Sequence, residues 1–181
     1  MQRVWVVGNA GSGKTTAART LAARLDVPHV ELDAIYHQAG WQPLPVEDFR
    51  RLVTERLSAP AWTVDGNYSA VADLVLARAD TVVWLDLPRP AVMRQLAART
   101  FRRTVLRTEL WNGNREPLTG WLSRDPEKSI MLWAWRNHRT YADRYAPLAS
   151  RRGESDQVVV RLRSRREVDA FLGRISPVAP S

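Results

Sequence analysis

The stretch Gly8-Asn9-Ala10-Gly11-Ser12-Gly13-Lys14-Thr15-Thr16 constrains this chain more than any other. Its spacing is G-x-x-x-x-G-K-[ST], the Walker A form of a phosphate-binding loop. A glycine-rich turn of this kind aims several backbone N–H groups at one small volume, where they hold phosphate oxygens. Lys14 is expected to reach the β and γ phosphates. The Thr15 hydroxyl is expected to ligate Mg²⁺, and the helix after the loop adds the positive end of its dipole. The flanks fit. Arg3 to Val7 is a buried-strand run, and Thr16 to Leu25 has the spacing of an amphipathic helix. An ordinary glycine turn between strand and helix would gain nothing from Lys14 and Thr15.

The remaining pattern alternates strands with helices. His29 to Asp33 reads as a second strand with Asp33 at its carboxyl end, and Ala34 to Leu44 as an aromatic, polar loop. Val46, Phe49, Val53 and Leu57 share one helical face. Ala61 to Val64 is a third strand, ending in Asp65-Gly66-Asn67-Tyr68, after which Ser69 is expected to cap a short helix. Asp80 to Pro88 holds a fourth strand, whose near-continuous apolar run suits burial on both faces. A helix opens near Pro90. Thr108 to Arg124 has no period and is the natural place for a lid. Asp125 is expected to cap a helix with Ile130, Trp133, Ala134, Asn137 and Tyr141 on its inner face. Gln157 to Leu162 is the last strand, and Ser164 caps a final helix.

Five strands and intervening helices predict an α/β fold: a parallel sheet with right-handed crossovers, covered on both faces. Residues 1–175 are read as one domain with a lid at about 107–126, and 176–181 as a disordered tail. There is no cysteine, which excludes disulfides, thiolate catalysis and cysteine zinc sites. No apolar run approaches a membrane span, so a soluble cytoplasmic protein is the expectation. The net charge of +8 admits nucleic acid or small polyanions as partners. Lysine occurs only at Lys14 and Lys128, so arginine supplies the excess.

These parts suit phosphoryl transfer, which needs positioning and charge neutralisation more than covalent chemistry. Donor phosphates would sit on residues 8–16, with Lys14 among them. A second acid near the metal should end a hydrophobic strand. Asp65, Asp33 and Asp86 qualify. Asp65 is the preferred metal residue beside Thr15, because its glycine turn permits close approach, and Asp86 is read as structural. Asp33 is the candidate for touching the acceptor, as a base toward a hydroxyl or as a ligand of metal water or of an acceptor group. Arg99, Arg102, Arg103 and Arg107 share an arc of roughly 140° on one helix. Arg99, Arg103 and Arg136 are the candidates for neutralising the transferred group. His29, His37 and His138 have no metal-ligand spacing and are assigned surface or packing roles.

Taken together, Gly8 to Thr15, Glu31-Leu32-Asp33, Trp62 to Tyr68, Ala79 to Pro88, the arginine-rich helix and Trp133 to Arg139 resemble the bacterial adenylate kinase-like proteins often labelled DNA topology modulation proteins. The resemblance runs from Val4 to Leu172. It implies a P-loop nucleotide-kinase fold with strand order 2-3-1-4-5, ATP with Mg²⁺, a lid after the fourth strand, and an adenine pocket near Arg163-Ser164-Arg165. Asp65-Gly66 matches the Asp-Gly of nucleoside monophosphate kinases. Those continue with Phe-Pro-Arg, whereas this chain has Asn67-Tyr68-Ser69, so the acceptor arginine is missing there. Asp33 is more similar to its counterpart in shikimate or gluconate kinases. The implied function is an ATP-dependent kinase acting on a small-molecule or nucleotide acceptor. The alternative is a nucleic-acid-associated ATPase whose nucleotide cycle regulates DNA or RNA binding. The chain shows no helix-turn-helix, zinc or basic-tail signature for it.

Overall fold

The computed structural model describes residues 1–105, 110–114, 129–150 and 157–176. Five parallel strands form one sheet: β1 (Arg3–Gly8), β2 (His29–Glu31), β3 (Trp62–Asp65), β4 (Thr81–Leu85) and β5 (Val158–Leu162). Their order is β2-β3-β1-β4-β5, as the resemblance implied. The helices are α1 (Lys14–Leu25), α2 (Leu32–Tyr36), α3 (Val46–Arg56), α4 (Ser69–Leu76), α5 (Arg89–Val105), α6 (Ile130–Ser150) and α7 (Arg165–Arg174).

Period-two alternation in β1 splits the core between the sheet's two faces. Trp5 and Val7 join Phe49 and Val53 of α3, Val71 and Val75 of α4, and Tyr141 and Tyr145 of α6. Val4 and Val6 point the other way, onto Ala17, Ala18 and Leu21 of α1 and Val168 and Leu172 of α7. Both layers are continuous, which is why β1 and β4 carry almost no polar residues. Trp84 is fully buried in β4, and Arg161 stacks over its ring at 4.3 Å while pairing with Asp86 at 2.6 Å. Asp86 therefore serves this packing.

Four local expectations are corrected. Strand β2 ends at Glu31, so Asp33 lies in the first turn of α2 instead of at a strand end. The segment read as a loop from Ala34 begins inside that helix. Ser69 is the first helical residue of α4, with Tyr68 as its N-cap and no side-chain cap bond. By contrast, Ser164 Oγ accepts the Glu167 N–H at 3.2 Å as a true N-cap. In α6, Tyr145 joins Ala134 and Tyr141 in the core, while Ile130 is exposed. Arg107, the Asp125 cap, most of the 107–126 lid and the tail from 177 lie outside the described residues. No helix among the described residues is long and apolar enough to cross a membrane.

Candidate functional site

The loop from Gly8 to Gly13 leaves the carboxyl end of the central strand β1, between β3 and β4. Side chains from across the chain set its shape. Asn9 is buried, donates from Nδ2 to the Ala134 carbonyl at 2.8 Å, and accepts from the Ala10 N–H at 2.8 Å. Asn67 brackets Gly8, accepting its N–H at 3.3 Å and donating to its carbonyl at 2.5 Å. Gly13 takes a left-handed conformation, with φ +89°, as the N-cap of α1. A Cβ there would meet Arg165 Nη1 at 3.6 Å and Gln95 Oε1 at 4.0 Å, ordinary van der Waals contacts with side chains that line the cleft. Among the described residues, the N–H groups of Gly11, Gly13, Lys14 and Thr15 have no protein acceptor. Four free donors at a helix N-terminus fit an anionic phosphate chain.

Lys14 lies at the centre of the charges. Burial lowers its pKa, against the pull of Asp33 and then Asp65; Arg99 adds to the lowering, and Glu31 opposes it more weakly. The same ammonium therefore feels both acids singled out in the sequence. Asp65 is 1% exposed and fully engaged. Its Oδ2 accepts from Thr15 Oγ1 at 2.5 Å, and its Oδ1 contacts His29 Nε2 at 2.8 Å. The parallel register places His29 opposite Thr63 and Glu31 opposite Asp65, which brings the histidine alongside the acid. Trp5 Nε1 donates to the Gly66 carbonyl at 3.0 Å and fixes the turn that follows Asp65.

Magnesium takes oxygen ligands and is usually held by one or two carboxylates together with waters and substrate phosphates. Thr15 Oγ1 and Asp65 Oδ2 form such a donor pair beside the loop. No group of three or more His, Cys, Asp or Glu residues that could hold a metal occurs among the described residues. A dedicated all-protein cage is thus absent from them, while a phosphate-bound magnesium fits.

A cleft of about 1050 Å³ opens beside the loop. Lys14 and Thr15 line one side, and Arg99, Arg102 and Arg103 of α5 line another. Arg165, at the start of α7, and Trp111 also reach it. Five arginines, Arg19 among them, line this one cavity and make it strongly electropositive. Among the predicted residues, the structure brings the loop, Thr15, Asp65, Asp33, Arg99 and Arg103 to this end of the sheet. Arg136 is exposed on α6 and does not line the cleft.

The five-stranded order and the glycine loop on the central strand have counterparts among solved structures. A shikimate kinase from Bacteroides thetaiotaomicron superposes with a TM-score of 0.55 over 96% of this chain and 95% of its own, at 16% identity. A sugar kinase from Janibacter sp. HTCC2649 gives 0.52 over 96% and 91%, at 20% identity. The fold is that of a P-loop kinase. Curated relatives are shikimate kinases. The one from Parasynechococcus marenigrum (strain WH8102) is 31% identical over 120 residues, 59% of this chain and 63% of that protein. One from Prochlorococcus marinus (strain MIT 9313) is 28% identical over 122 residues, 60% and 64% of the respective lengths. The match therefore spans less than two thirds of these relatives. No family model matches the chain.

Within this P-loop kinase fold, several residues escaped the sequence reading. His29 holds Asp65, and His37 contacts Tyr68 Oη at 3.2 Å, so neither merely packs. His138 does hold structure, through the Leu87 carbonyl at 3.0 Å. Glu31 lines the cleft and pairs with Arg19 at 2.8 Å. Tyr68 donates to Asp33 at 2.7 Å. The signal for Tyr68 was present, since it stands where similarity to monophosphate kinases would place another pattern. His29 gave no such signal, because only the strand register brings it to Asp65.

Proposed function

We propose that this chain is an ATP-dependent phosphotransferase acting on a small-molecule acceptor with a hydroxyl group. One observation carries the reading. Two separate acids stand at this edge of the sheet: Asp65, engaged with Thr15 of the loop, and Asp33, held by Tyr68 in the first turn of α2. That arrangement supports separate donor and acceptor ends of one site. The partial match to shikimate kinases supports the same class of reaction.

The loop amides and Lys14 would bind the donor phosphates, and Thr15 and Asp65 would hold Mg²⁺. Bound ATP with its metal would supply an electrophilic γ-phosphoryl group. Asp33 would take the acceptor's proton as the acceptor oxygen bonds to phosphorus and the bridging bond to the diphosphate breaks, its electron pair leaving with ADP. Arg99 and Arg103 would balance the negative charge that spreads over the transferred group.

The test is an ATP-consumption screen over sugars, polyols, hydroxy acids, nucleosides and nucleotides. A hydroxyl compound that drives ADP release, with loss of transfer in Asp33→Asn and retained ATP binding, is the expected result. Consumption stimulated only by DNA or RNA would overturn the proposal in favour of a nucleic-acid-associated ATPase.

A further inference from the structure

Asp33 is part of a chain of three side chains. Tyr68 Oη donates to Asp33 Oδ1 at 2.7 Å and lies 3.2 Å from His37 Nε2. A phenol has one proton. With that proton directed at Asp33, the second contact must be an Nε2–H of His37 donating to the phenolic oxygen. His37 Nδ1 is buried with no hydrogen-bond partner. An unprotonated nitrogen tolerates that place better than an N–H would, and burial accordingly lowers the His37 pKa against the pull of Asp33. The histidine is thus a neutral donor of fixed tautomer.

Its surroundings hold it there. Trp111 stacks on the imidazole at 6.1 Å, and Trp41 meets it edge-on at 5.3 Å. Asn112 Nδ2 donates to the His37 carbonyl at 2.6 Å. Tyr36 and Phe49 pack against the Tyr68 ring at 4.6 and 5.2 Å. Among the described residues, the second oxygen of Asp33 takes no hydrogen bond. The charged and titratable groups facing Asp33 are Lys14 from α1, His37, Tyr68 and Tyr141 from α6.

We propose that Tyr68 and His37 are positioning residues, which lock one oxygen of Asp33 so that the other is presented to the acceptor hydroxyl. This rests on the reading of Asp33 as the base. A carboxylate free to rotate would offer either oxygen and spend little time aligned. Tied through Oδ1, it offers Oδ2 in one orientation. The aromatic clasp extends this order to the segment 110–114, whose Asn114 donates to the Gln38 carbonyl at 2.9 Å and accepts the Trp41 N–H at 2.9 Å.

The test uses the full chain with Mg²⁺ and ATP alone, where water replaces the acceptor, together with NMR of ¹³C-labelled aspartate carboxyls. Tyr68 Oη donates to one oxygen of Asp33, so Tyr68→Phe is expected to shift the Asp33 carboxyl ¹³C resonance at fixed neutral pH. The hydrolysis kcat should fall about tenfold with KM for ATP unchanged. His37→Leu should do the same in part, and His37→Gln, whose amide can still donate, should restore it. An unmoved Asp33 carboxyl resonance in Tyr68→Phe overturns the proposal. A moved resonance with undiminished hydrolysis in Asp33→Asn removes the base itself, and the proposal with it. Lys14→Ala reports separately on the phosphate loop.

Discussion

Lys14 carries a charge that its own protein opposes. Burial outweighs the nearby carboxylates, so its folded pKa lies below the ordinary 10.5. The unfolded chain then binds more protons than the folded one between the depressed pKa and 10.5, and stability rises with pH across that window. Below the window the full cost of the charge remains. Lys14→Met should therefore raise the unfolding midpoint of the ligand-free protein at neutral pH by about 2–4 °C, as for a gain near 1 kcal/mol. It should also abolish ATP turnover, and calorimetry with an ADP-release assay reads both. His29 gives the complementary case. It supports Asp65 without lining the cleft, so His29→Ala should raise the Mg²⁺ concentration needed for half-maximal turnover about tenfold, in keeping with other outer partners of metal ligands. A magnesium titration checks this, and an unchanged requirement would separate His29 from the metal. At this scale the sequence was informative where spacing along the chain carries the chemistry, as in Lys14 and Thr15. It was silent for His29 and His37, whose partners are reached only through strand register and side-chain packing.

Helix α5 connects the packing of the loop with the charge of the cleft. Gly11 has φ +83°, and a Cβ there would stand 2.7 Å from Leu96 Cβ and 2.9 Å from the Val92 carbonyl. This glycine admits the helix, whereas Gly13 opens the turn to the cavity. Gly11→Ala should push α5 outward and strain the loop, costing about 1–3 kcal/mol. Because α5 also carries Arg99, Arg102 and Arg103, ATP affinity should fall in the same variant. Thermal unfolding and nucleotide titration measure the two effects, and loss of stability alone would show that the arginines do not depend on this contact. Helices with several turns were legible in the sequence, α3 from its apolar spacing and α7 from its Ser164 cap. The five-residue α2 was not, because one turn leaves too few residues to show a period. Its place is set by Leu32, which is fully buried and carries Asp33 beside it.

At the scale of the whole molecule, the site draws on the carboxyl ends of all five strands. Strand β1 leads into the loop, β2 to Asp33, β3 to Asp65, β4 to α5 and β5 to Arg165. Open parallel sheets place ligands at this edge. Alternation of strands and helices was enough to predict the layers. It could not give the strand order, which depends on hydrogen bonds between strands far apart in sequence and came instead through resemblance. An anion held at this edge touches elements from both core layers, so binding should stabilise the entire fold rather than one loop. At a hundredfold excess over Kd, Mg²⁺ and ATP should add about 2.7 kcal/mol, or roughly 5–10 °C in unfolding midpoint. Added salt should shrink the shift, because the cleft attracts its ligand through arginines, several of them exposed. Hydrogen exchange should slow together in residues 8–16, in α5 and at the start of α7. Protection confined to the loop would mean that the nucleotide engages the phosphate site without drawing in the arginines.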